Sequence, residues 1–238
     1  MSTFLIVMEE EFMEMFLTLI SGIGWIIVYE ECIRLGFKEK TYAMPLFALG
    51  LNFAWEAIYS FSDIFLGAHG PLEGLNAVQA YVNASWAVLD IVILYTYFKY
   101  GKNEFAKSIN KKYFPAWILL VILCSFTLQY VFIQEFGFIM GAKYSAFLQN
   151  LLMSVMFIGM HVKRGNRKGQ SLLLAYAKWI GTLAPTIMFG VLDYNILVLV
   201  CGIFCSVFDI IYISILTKCK KTELYNKTQN DKSIIYGG

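Results

Sequence analysis

Seven long apolar stretches constrain this 238-residue chain more than any other feature of its sequence. A helix needs about 20 apolar residues to cross the hydrocarbon core of a bilayer. Hydrophobic residues make up 58% of the chain and charged residues 15%, whereas soluble domains average roughly 45–50% and about 25%. The predicted spans are 12–31, 42–62, 76–98, 113–133, 144–161, 172–191 and 195–217. The sequence therefore predicts an all-α membrane protein that folds as a seven-transmembrane helix bundle.

These spans leave little of the chain outside the membrane. We expect residues 1–217 to form a single seven-helix transmembrane domain and residues 218–238 to form a short polar cytosolic tail. The lipid bilayer is then the main partner of the protein. We expect an integral, multi-pass protein of a bacterial inner membrane or of the endoplasmic reticulum.

Lysine and arginine residues are concentrated on one side of the predicted bundle. The first, third and fifth loops and the tail are basic, whereas the opposite side has only Lys143 against several acids, among them Glu73 and Asp193. The positive-inside rule then places the N-terminus outside and the C-terminus in the cytosol, which requires an odd number of spans. Because topology accounts for the basic loops, they do not indicate nucleic-acid binding.

Three acids interrupt the apolar stretches. Glu56, Asp90 and Asp209 lie within NFAWEAIY (52–59), WAVLDIVILY (86–95) and FCSVFDIIY (204–212). A carboxylate at bilayer depth costs several kcal/mol unless it is paired, protonated or placed in a watered cavity. Each acid lies on a polar or aromatic stripe with helical spacing, and such stripes face inward because lipid cannot form hydrogen bonds. We therefore expect the three acids to line one buried pocket.

The same stripes predict the residues that surround the acids. Counted from the nearest cytosolic lysine, Asp90 and Asp209 lie about 14 Å and Glu56 about 24 Å above the basic edge, at two levels roughly 10 Å apart. That extent favours an elongated apolar ligand over a single ion. The predicted substrate-binding residues are Asn52, Trp55, Tyr59, Asn83, Trp86, Tyr212 and Trp25. The alternative is that these acids only accept hydrogen bonds within the bundle and that the tryptophans mark its interfaces.

No pattern for a metal or a cofactor is visible in the sequence. The five cysteines form no metal-binding pattern, and neither histidine has a plausible metal partner. The aspartates are not arranged as DDxxD, and neither a nucleophilic triad nor a phosphate-binding loop is present. We expect no metal site and no cofactor.

The segments NFAWEAIYS, FDIIY and WAVLD together resemble the integral-membrane terpene cyclases of fungal meroterpenoid and indole-diterpene biosynthesis, which have bacterial relatives. The resemblance covers most of the chain: a similar length, seven helices, a Trp–Glu pair late in helix 2 and an acid in helix 7. In that family a glutamate in helix 2 and an aspartate in helix 7 are held to be essential. The resemblance thus implies catalytic roles for Glu56 and Asp209, and we add Asp90 because of its depth and its stripe.

The resemblance also implies a chemistry, which is a metal-independent, proton-initiated cyclisation. The substrate would be a linear polyprenyl chain, farnesyl or geranylgeranyl, often terminally epoxidised and attached to a polar head. A buried carboxylic acid holds its proton because desolvation disfavours the charged form, and it can act as general acid towards an epoxide oxygen or an alkene. Aromatic faces stabilise the resulting carbocation, and a dry cavity protects it from water.

Two other functions are alternatives. A small seven-helix transporter would use the three acids as proton relays or cation sites. Helix-breaking residues inside the spans would favour a transporter. Pro45 and Pro185 are present, but Pro45 lies near a helix start, where proline is tolerated, and we find no three-plus-three repeat. A retinal protein needs a lysine in the middle of helix 7, where the nearest is Lys218 at the cytosolic end.

Overall fold

The computed structural model describes the backbone of residues 2–68, 70, 72, 74–105 and 109–236, and the side chains of 12–68, 70, 72, 77–105 and 109–222. Its long helices are α1 (Ser2–Glu39), α2 (Leu46–Leu66), α3 (Gly74–Tyr100), α4 (Phe114–Arg164), α5 (Leu172–Thr186) and α6 (Ile196–Tyr236). Short 3-10 helices occupy Gly101–Asn103 and Lys111–Tyr113, and a π-helical segment, Ile187–Leu192, follows α5 directly. The described residues contain no strand, so the predicted all-α class is confirmed.

Several helices are long and apolar enough to cross a membrane. Within the described residues five segments meet this criterion: Phe12–Glu39, Ala77–Asn103, Lys111–Arg164, Leu172–Leu192 and Ile196–Thr222. Their outer faces carry exposed large apolar side chains, such as Leu119, Leu123 and Ile203. Apolar surface of this kind is suited to contact with lipid chains rather than with water.

Helix α4 turns back on itself at Gly137, where the backbone is not helical (φ 74°, ψ 171°). As a result, Gln129 Nε2 donates a hydrogen bond to Gln149 Oε1 at 2.8 Å. Two residues twenty positions apart on a straight helix would be separated by about 30 Å. The first arm of α4 (114–136) and its second arm (138–164) are therefore antiparallel neighbours. The second arm contains the predicted span 144–161, and the first contains all but the first residue of the predicted span 113–133.

Three loops meet at one end of the bundle around Arg164. Its guanidinium donates to Glu104 Oε2 at 2.8 Å, Thr41 Oγ1 at 3.1 Å, and the carbonyl oxygens of Tyr42 and Lys168 at 2.9 and 2.7 Å. It also lies 4.2 Å from the centre of the Tyr42 ring. These contacts join the loop before α2, the loop after α3 and the loop before α5, which are the basic loops of the sequence. We call this the basic end.

Two further turns meet at the opposite end. Lys143, just after the reversal in α4, lies 2.5 Å from Asp193 in the loop before α6. Asn195 in the same loop donates to the Tyr144 hydroxyl at 3.2 Å. The connections that these contacts place alternate between the two ends, as the predicted orientation requires. The number of membrane crossings and the side on which each terminus lies stay predictions.

Glycines allow α5 to pack closely between α1 and α6. A Cβ atom on Gly24 of α1 would lie 2.8 Å from the Cα of Gly181 on α5. A Cβ atom on Gly202 of α6 would lie 2.1 Å from the side chain of Thr186 on α5. Small residues at helix contacts permit such an approach, which is a common basis of packing in membrane bundles. Helix α6 continues through residue 217 to Tyr236, and the proposed division between domain and tail at 217/218 stays a prediction.

Candidate active site

A buried polar cluster surrounds Glu56 where α1, α2 and α3 meet. Tyr29 of α1 donates its hydroxyl to Glu56 Oε1. Asn52 Nδ2 lies 2.9 Å from Glu56 Oε1, 3.0 Å from Asp90 Oδ2 and 2.6 Å from the Tyr29 hydroxyl oxygen. Glu56 is 3% exposed and Asp90 0%. We call these four residues, Tyr29, Asn52, Glu56 and Asp90, the Glu56 cluster.

Helical spacing explains why the cluster forms. Asn52 and Glu56 are four residues apart on α2, so their side chains lie on one face of the helix. α2 packs against α3, which brings Asp90 opposite that face. Lipid offers no hydrogen bonds, so the polar stripes of neighbouring helices satisfy one another inside the bundle.

Each acid of the Glu56 cluster keeps one carboxyl oxygen that accepts no hydrogen bond from the described residues. These atoms are Glu56 Oε2 and Asp90 Oδ1. The other oxygen of each acid lies against the same Asn52 amide nitrogen, which places the two carboxyl groups close together. Buried polar atoms are nearly always hydrogen-bonded, so an oxygen without a donor is a position where a proton can reside. This arrangement is able to hold a proton and to release it.

Two glutamines of α4 fix the orientation of Asn52. Gln149 on the second arm donates to Asn52 Oδ1 at 3.4 Å. Gln129 on the first arm donates to Gln149 Oε1 at 2.8 Å and to the Leu51 carbonyl oxygen at 3.3 Å. With its oxygen engaged by Gln149, the Asn52 amide directs its N–H groups towards the acids. The reversal at Gly137 is what brings both glutamines to this position.

Aromatic rings contact the Glu56 cluster through Tyr29. The Trp86 ring stacks on Tyr29 at 5.9 Å with an interplanar angle of 23°, and the Trp25 ring is tilted against it at 6.4 Å. Trp25 is buried, whereas Trp86 is partly exposed. The structure therefore places two of the predicted tryptophans beside the acids.

Other predicted residues extend from the cluster along α2 and α3. Trp55 directly precedes Glu56, and Tyr59 follows it by about one turn; their rings lie 4.9 Å apart. Trp55 Nε1 donates to the Ala142 carbonyl oxygen at 3.0 Å. Asn83 is buried on α3, two turns before Asp90, and accepts a hydrogen bond from Gln79 at 2.7 Å. These residues contact one another or their neighbours rather than the acids.

Asp209 lies in a second polar cluster, between α4, α5 and α6. Lys178 Nζ donates to Asp209 Oδ1 at 3.0 Å, to Asp209 Oδ2 at 2.9 Å and to Ser154 Oγ at 2.7 Å. Lys178 is 0% exposed and Asp209 1%. We call Ser154, Lys178 and Asp209 the Lys178 cluster. The carboxyl group of Asp209 is thus bound to Lys178 and not to either acid of the Glu56 cluster.

Tyr212 also lies apart from Glu56. Its hydroxyl donates to Gln170 Oε1 at 3.0 Å in the loop before α5, and its ring packs 5.5 Å from that of Phe157. Tyr212 follows Asp209 by one turn of α6, on the side of the basic end.

Three residues of these clusters, and Gln149 which contacts Asn52, are missing from the predicted site. Tyr29 and Gln149 lie on polar stripes that the sequence shows, but they carry no charge at neutral pH and do not stand out there. Ser154 is too common a residue to signal a site. Lys178 had a clear signal, because it is a cation within an apolar span, LLLAYAKWIGTLAP, and intramembrane cations are generally paired.

The described residues contain no group of three or more His, Cys, Asp or Glu side chains placed to hold a metal ion. Among the described residues, Cys32, Cys201 and Cys205 are buried and form no disulfide. The acids of both clusters are held by protein donors: a phenol, an amide and an ammonium group.

Comparison with known proteins identifies a family. The family profile of Pyr4-like transmembrane terpene cyclases matches residues 8–222. Terpene cyclase pyr4 of Aspergillus fumigatus is 25% identical over 228 residues, which cover 91% of this chain and 90% of the relative. Pyr4-family terpene cyclase mfmH of Annulohypoxylon moriforme is 28% identical over 180 residues, 73% of this chain and 68% of the relative. Terpene cyclase macJ of Penicillium terrestre is 30% identical over 177 residues, 72% of this chain and 64% of the relative.

No solved structure matches the chain. The family profile covers most of the sequence and includes both polar clusters. Taken with the apolar helices, it makes the protein a multi-pass integral membrane protein and an enzyme of terpene cyclisation. The chain belongs to the Pyr4-like transmembrane terpene cyclases.

Proposed function

We propose that this protein starts the cyclisation of a linear polyprenyl substrate by donating a proton from the Glu56 cluster, independently of a metal ion. One observation carries the proposal: Glu56 and Asp90 are buried, bridged by the Asn52 amide, and each has an oxygen without a donor among the described residues. Two carboxyl groups held by one amide nitrogen are close enough to repel each other when both are ionised, so the pair retains a proton. A buried general acid of this kind is suited to protonate an alkene or an epoxide oxygen.

The donors around Glu56 support proton transfer. Glu56 Oε1 accepts hydrogen bonds from Tyr29 and Asn52, while Oε2 accepts none from the described residues. When the proton leaves, the negative charge on the carboxylate is stabilised by these two donors, which are already in place. Tyr29 and Asn52 therefore position the acid, and the reacting proton is the one shared by Glu56 and Asp90.

The substrate class follows from the family and from the aromatic rings. We propose a farnesyl or geranylgeranyl chain attached to a polar head, in which the terminal double bond is free or epoxidised. The rings of Trp25, Tyr29 and Trp86 beside the acids offer π-faces to the cation that forms after protonation. Burial of the acids limits the access of water, which would end the reaction early.

We propose further that the chain crosses the membrane seven times, with the N-terminus outside and the C-terminus in the cytosol. The alternation of the loops between two ends and the two antiparallel arms of α4 support this arrangement. A reporter fused after Gly238 should be active only in the cytosol. Activity of the same fusion on the outer side would contradict the proposed orientation.

Turnover by the purified protein in detergent tests the enzymatic proposal. Epoxidised and unmodified prenylated substrates are offered, and products are measured by mass spectrometry. Cyclisation without an ion gradient separates a cyclase from a transporter. Insensitivity to EDTA is expected, and a loss of turnover that magnesium restores would contradict a metal-independent reaction.

Glu56→Gln tests the general acid directly. The amide keeps the shape and hydrogen-bonding capacity of the side chain but removes its transferable proton, so turnover should fall by about 10²–10⁴-fold. Glu135→Gln is the matched control, because Glu135 is exposed on the outer surface of α4. Wild-type conversion by Glu56→Gln, with the protein folded, would rule out the proposed acid.

A further inference from the structure

The ion pair between Lys178 and Asp209 has no part in the proton transfer proposed above. Lys178 Nζ contacts both oxygens of Asp209 and the hydroxyl of Ser154. An ammonium group has three hydrogens, so every donor of Lys178 has an acceptor. The two side chains are 0% and 2% exposed.

This geometry indicates the charge state of Asp209. A buried cation is tolerated in a bundle when it is paired. The ammonium group faces both carboxyl oxygens of Asp209, which is the geometry of a carboxylate that only accepts hydrogen bonds. An Asp209 held in this form has no proton to donate to a substrate.

The Lys178 cluster also lies on a different face of α4 from the Glu56 cluster. Gln149 contacts Asn52 from the second arm, whereas Ser154 on the same arm contacts Lys178. Five residues correspond to about 140° around a helix. The second arm of α4 therefore lies between the two clusters. On one side Gln149 donates a hydrogen bond to Asn52, and on the other side Ser154 accepts one from Lys178.

We infer that Lys178 is a positioning residue which holds Asp209 as an anion, and that Asp209 serves the reaction as half of this ion pair rather than as the initiating acid. The pair joins α5 to α6 and, through Ser154, to the arm of α4 that carries Gln149. Its net charge is zero, so the pair itself adds no uncompensated charge to the interior beside the reaction site. The inference rests on the proposed function only for its turnover measurement.

A double-mutant cycle separates the two roles of Asp209. Asp209→Asn leaves the Lys178 cation unpaired, and Lys178→Met leaves the Asp209 anion unpaired. The combined variant Lys178→Met/Asp209→Asn removes both charges while it keeps similar volumes. Removing one partner of a buried pair is strongly destabilising, whereas replacing both is often tolerated.

The wild type and the three variants are compared in detergent by thermal unfolding. Their kcat and KM are measured at a temperature where all four proteins are folded. Each single variant should lower Tm by about 10 °C. Displacement of the neighbouring helix arm should lower kcat by about 10²-fold, with KM nearly unchanged. In the double variant most of the Tm loss should disappear, and kcat should return to within about tenfold of wild type. A merely structural pair would leave kcat of the folded single variants unchanged.

Lys143→Met and Lys143→Met/Asp193→Asn are the matched controls, because that Lys–Asp pair lies at the opposite end and its aspartate is 61% exposed. These variants should show neither effect. The inference is overturned if the double variant regains Tm but has as little turnover as Asp209→Asn, since Asp209 would then be a proton donor. It is also overturned if the single variants match the controls. If the wild-type protein cyclises none of the substrates, the proposed function fails while the Tm cycle still decides whether the ion pair exists.

Discussion

The side-chain amide of Asn52 donates to the carboxyl oxygen of Asp90 at 3.0 Å and thereby ties α2 to α3 beside the candidate general acid. The same amide lies 2.9 Å from Glu56 Oε1. A neutral side chain therefore sets the mutual position of two acids, and Gln149 in turn holds its oxygen. The proton-holding pair depends on a residue that does not itself titrate.

Replacing Asn52 should impair both turnover and folding. Asn52→Leu keeps a similar volume but removes the donor shared by Glu56 and Asp90. We expect the free energy of unfolding to fall by about 1–3 kcal/mol, because buried acceptors lose their partner. Turnover should fall by about 10²-fold through misplacement of the acids. The exposed Asn103→Leu is the control, and wild-type turnover by Asn52→Leu would contradict the bridging role.

Tyr29 combines a hydrogen bond to Glu56 with a ring stacked on Trp86. Tyr29→Phe keeps the ring and removes only the hydroxyl. Since Glu56 Oε1 is buried, we expect a loss of about 1–3 kcal/mol in the free energy of unfolding and a lower kcat. Tyr95→Phe, at an exposed ring, provides the comparison in chemical denaturation. Equal stabilities of the two variants would show that the Tyr29 hydroxyl contributes little.

The reversal of α4 depends on the backbone of Gly137. Its φ of 74° and ψ of 171° belong to a region that side chains disfavour, although no atom lies within 4 Å of a Cβ placed there. Gly137→Ala should therefore cost about 1–3 kcal/mol through backbone strain alone.

Gly159→Ala supplies the matched control for this prediction. Gly159 is helical and also has free space around its Cβ position, so alanine should stabilise α4 there by roughly 0.5–1 kcal/mol. Thermal unfolding of the two variants should show shifts of opposite sign. A gain in Tm for Gly137→Ala would mean that this position does not require glycine.

Glu104 at the basic end makes stability depend on pH. Burial raises the pKa of Glu104, but hydrogen bonds from Thr41 and Arg164 outweigh it and lower the pKa below its usual value. A lowered folded-state pKa stabilises the protein above the unfolded-state value, and the contribution is lost as pH falls through the folded-state pKa. The Tm difference between wild type and Glu104→Gln should be greatest near neutral pH and shrink below about pH 4.5. A difference that does not vary with pH would contradict this assignment.

The helices could be predicted largely from local properties of the sequence. Length and hydropathy located the apolar spans, and the interval between 133 and 144 contains the reversal at Gly137. The extent of α6 was not predictable from hydropathy, because the helix continues to Tyr236 through polar residues. Residues 218–236 contain neither glycine nor proline, and polar residues of this kind do not by themselves end a helix.

The candidate site was predictable only where its partners share a helix or a polar stripe. Asn52 and Glu56 are four residues apart, so their proximity follows from helical spacing alone. Lys178 and Asp209 are 31 positions apart in sequence and lie on two different helices, so their pairing depends on how α5 and α6 are rotated against each other. Hydropathy carries no information on that rotation. The topology prediction counted only the lysines and arginines of the loops, so it did not consider Lys178, which lies within a span.

The engagement of Arg164 divides the cations of the basic end into two kinds. Its side chain is 6% exposed and paired with Glu104. The charge of Arg164 is therefore neutralised within the protein and does not contact phospholipid headgroups. Exposed lysines at this end include Lys102, Lys111, Lys112, Lys163, Lys168 and Lys218. Each lysine that faces an anionic leaflet contributes about 1 kcal/mol of attraction to the membrane surface. The arginine thus holds the loops together, while the lysines around it are left to anchor the protein against the lipid.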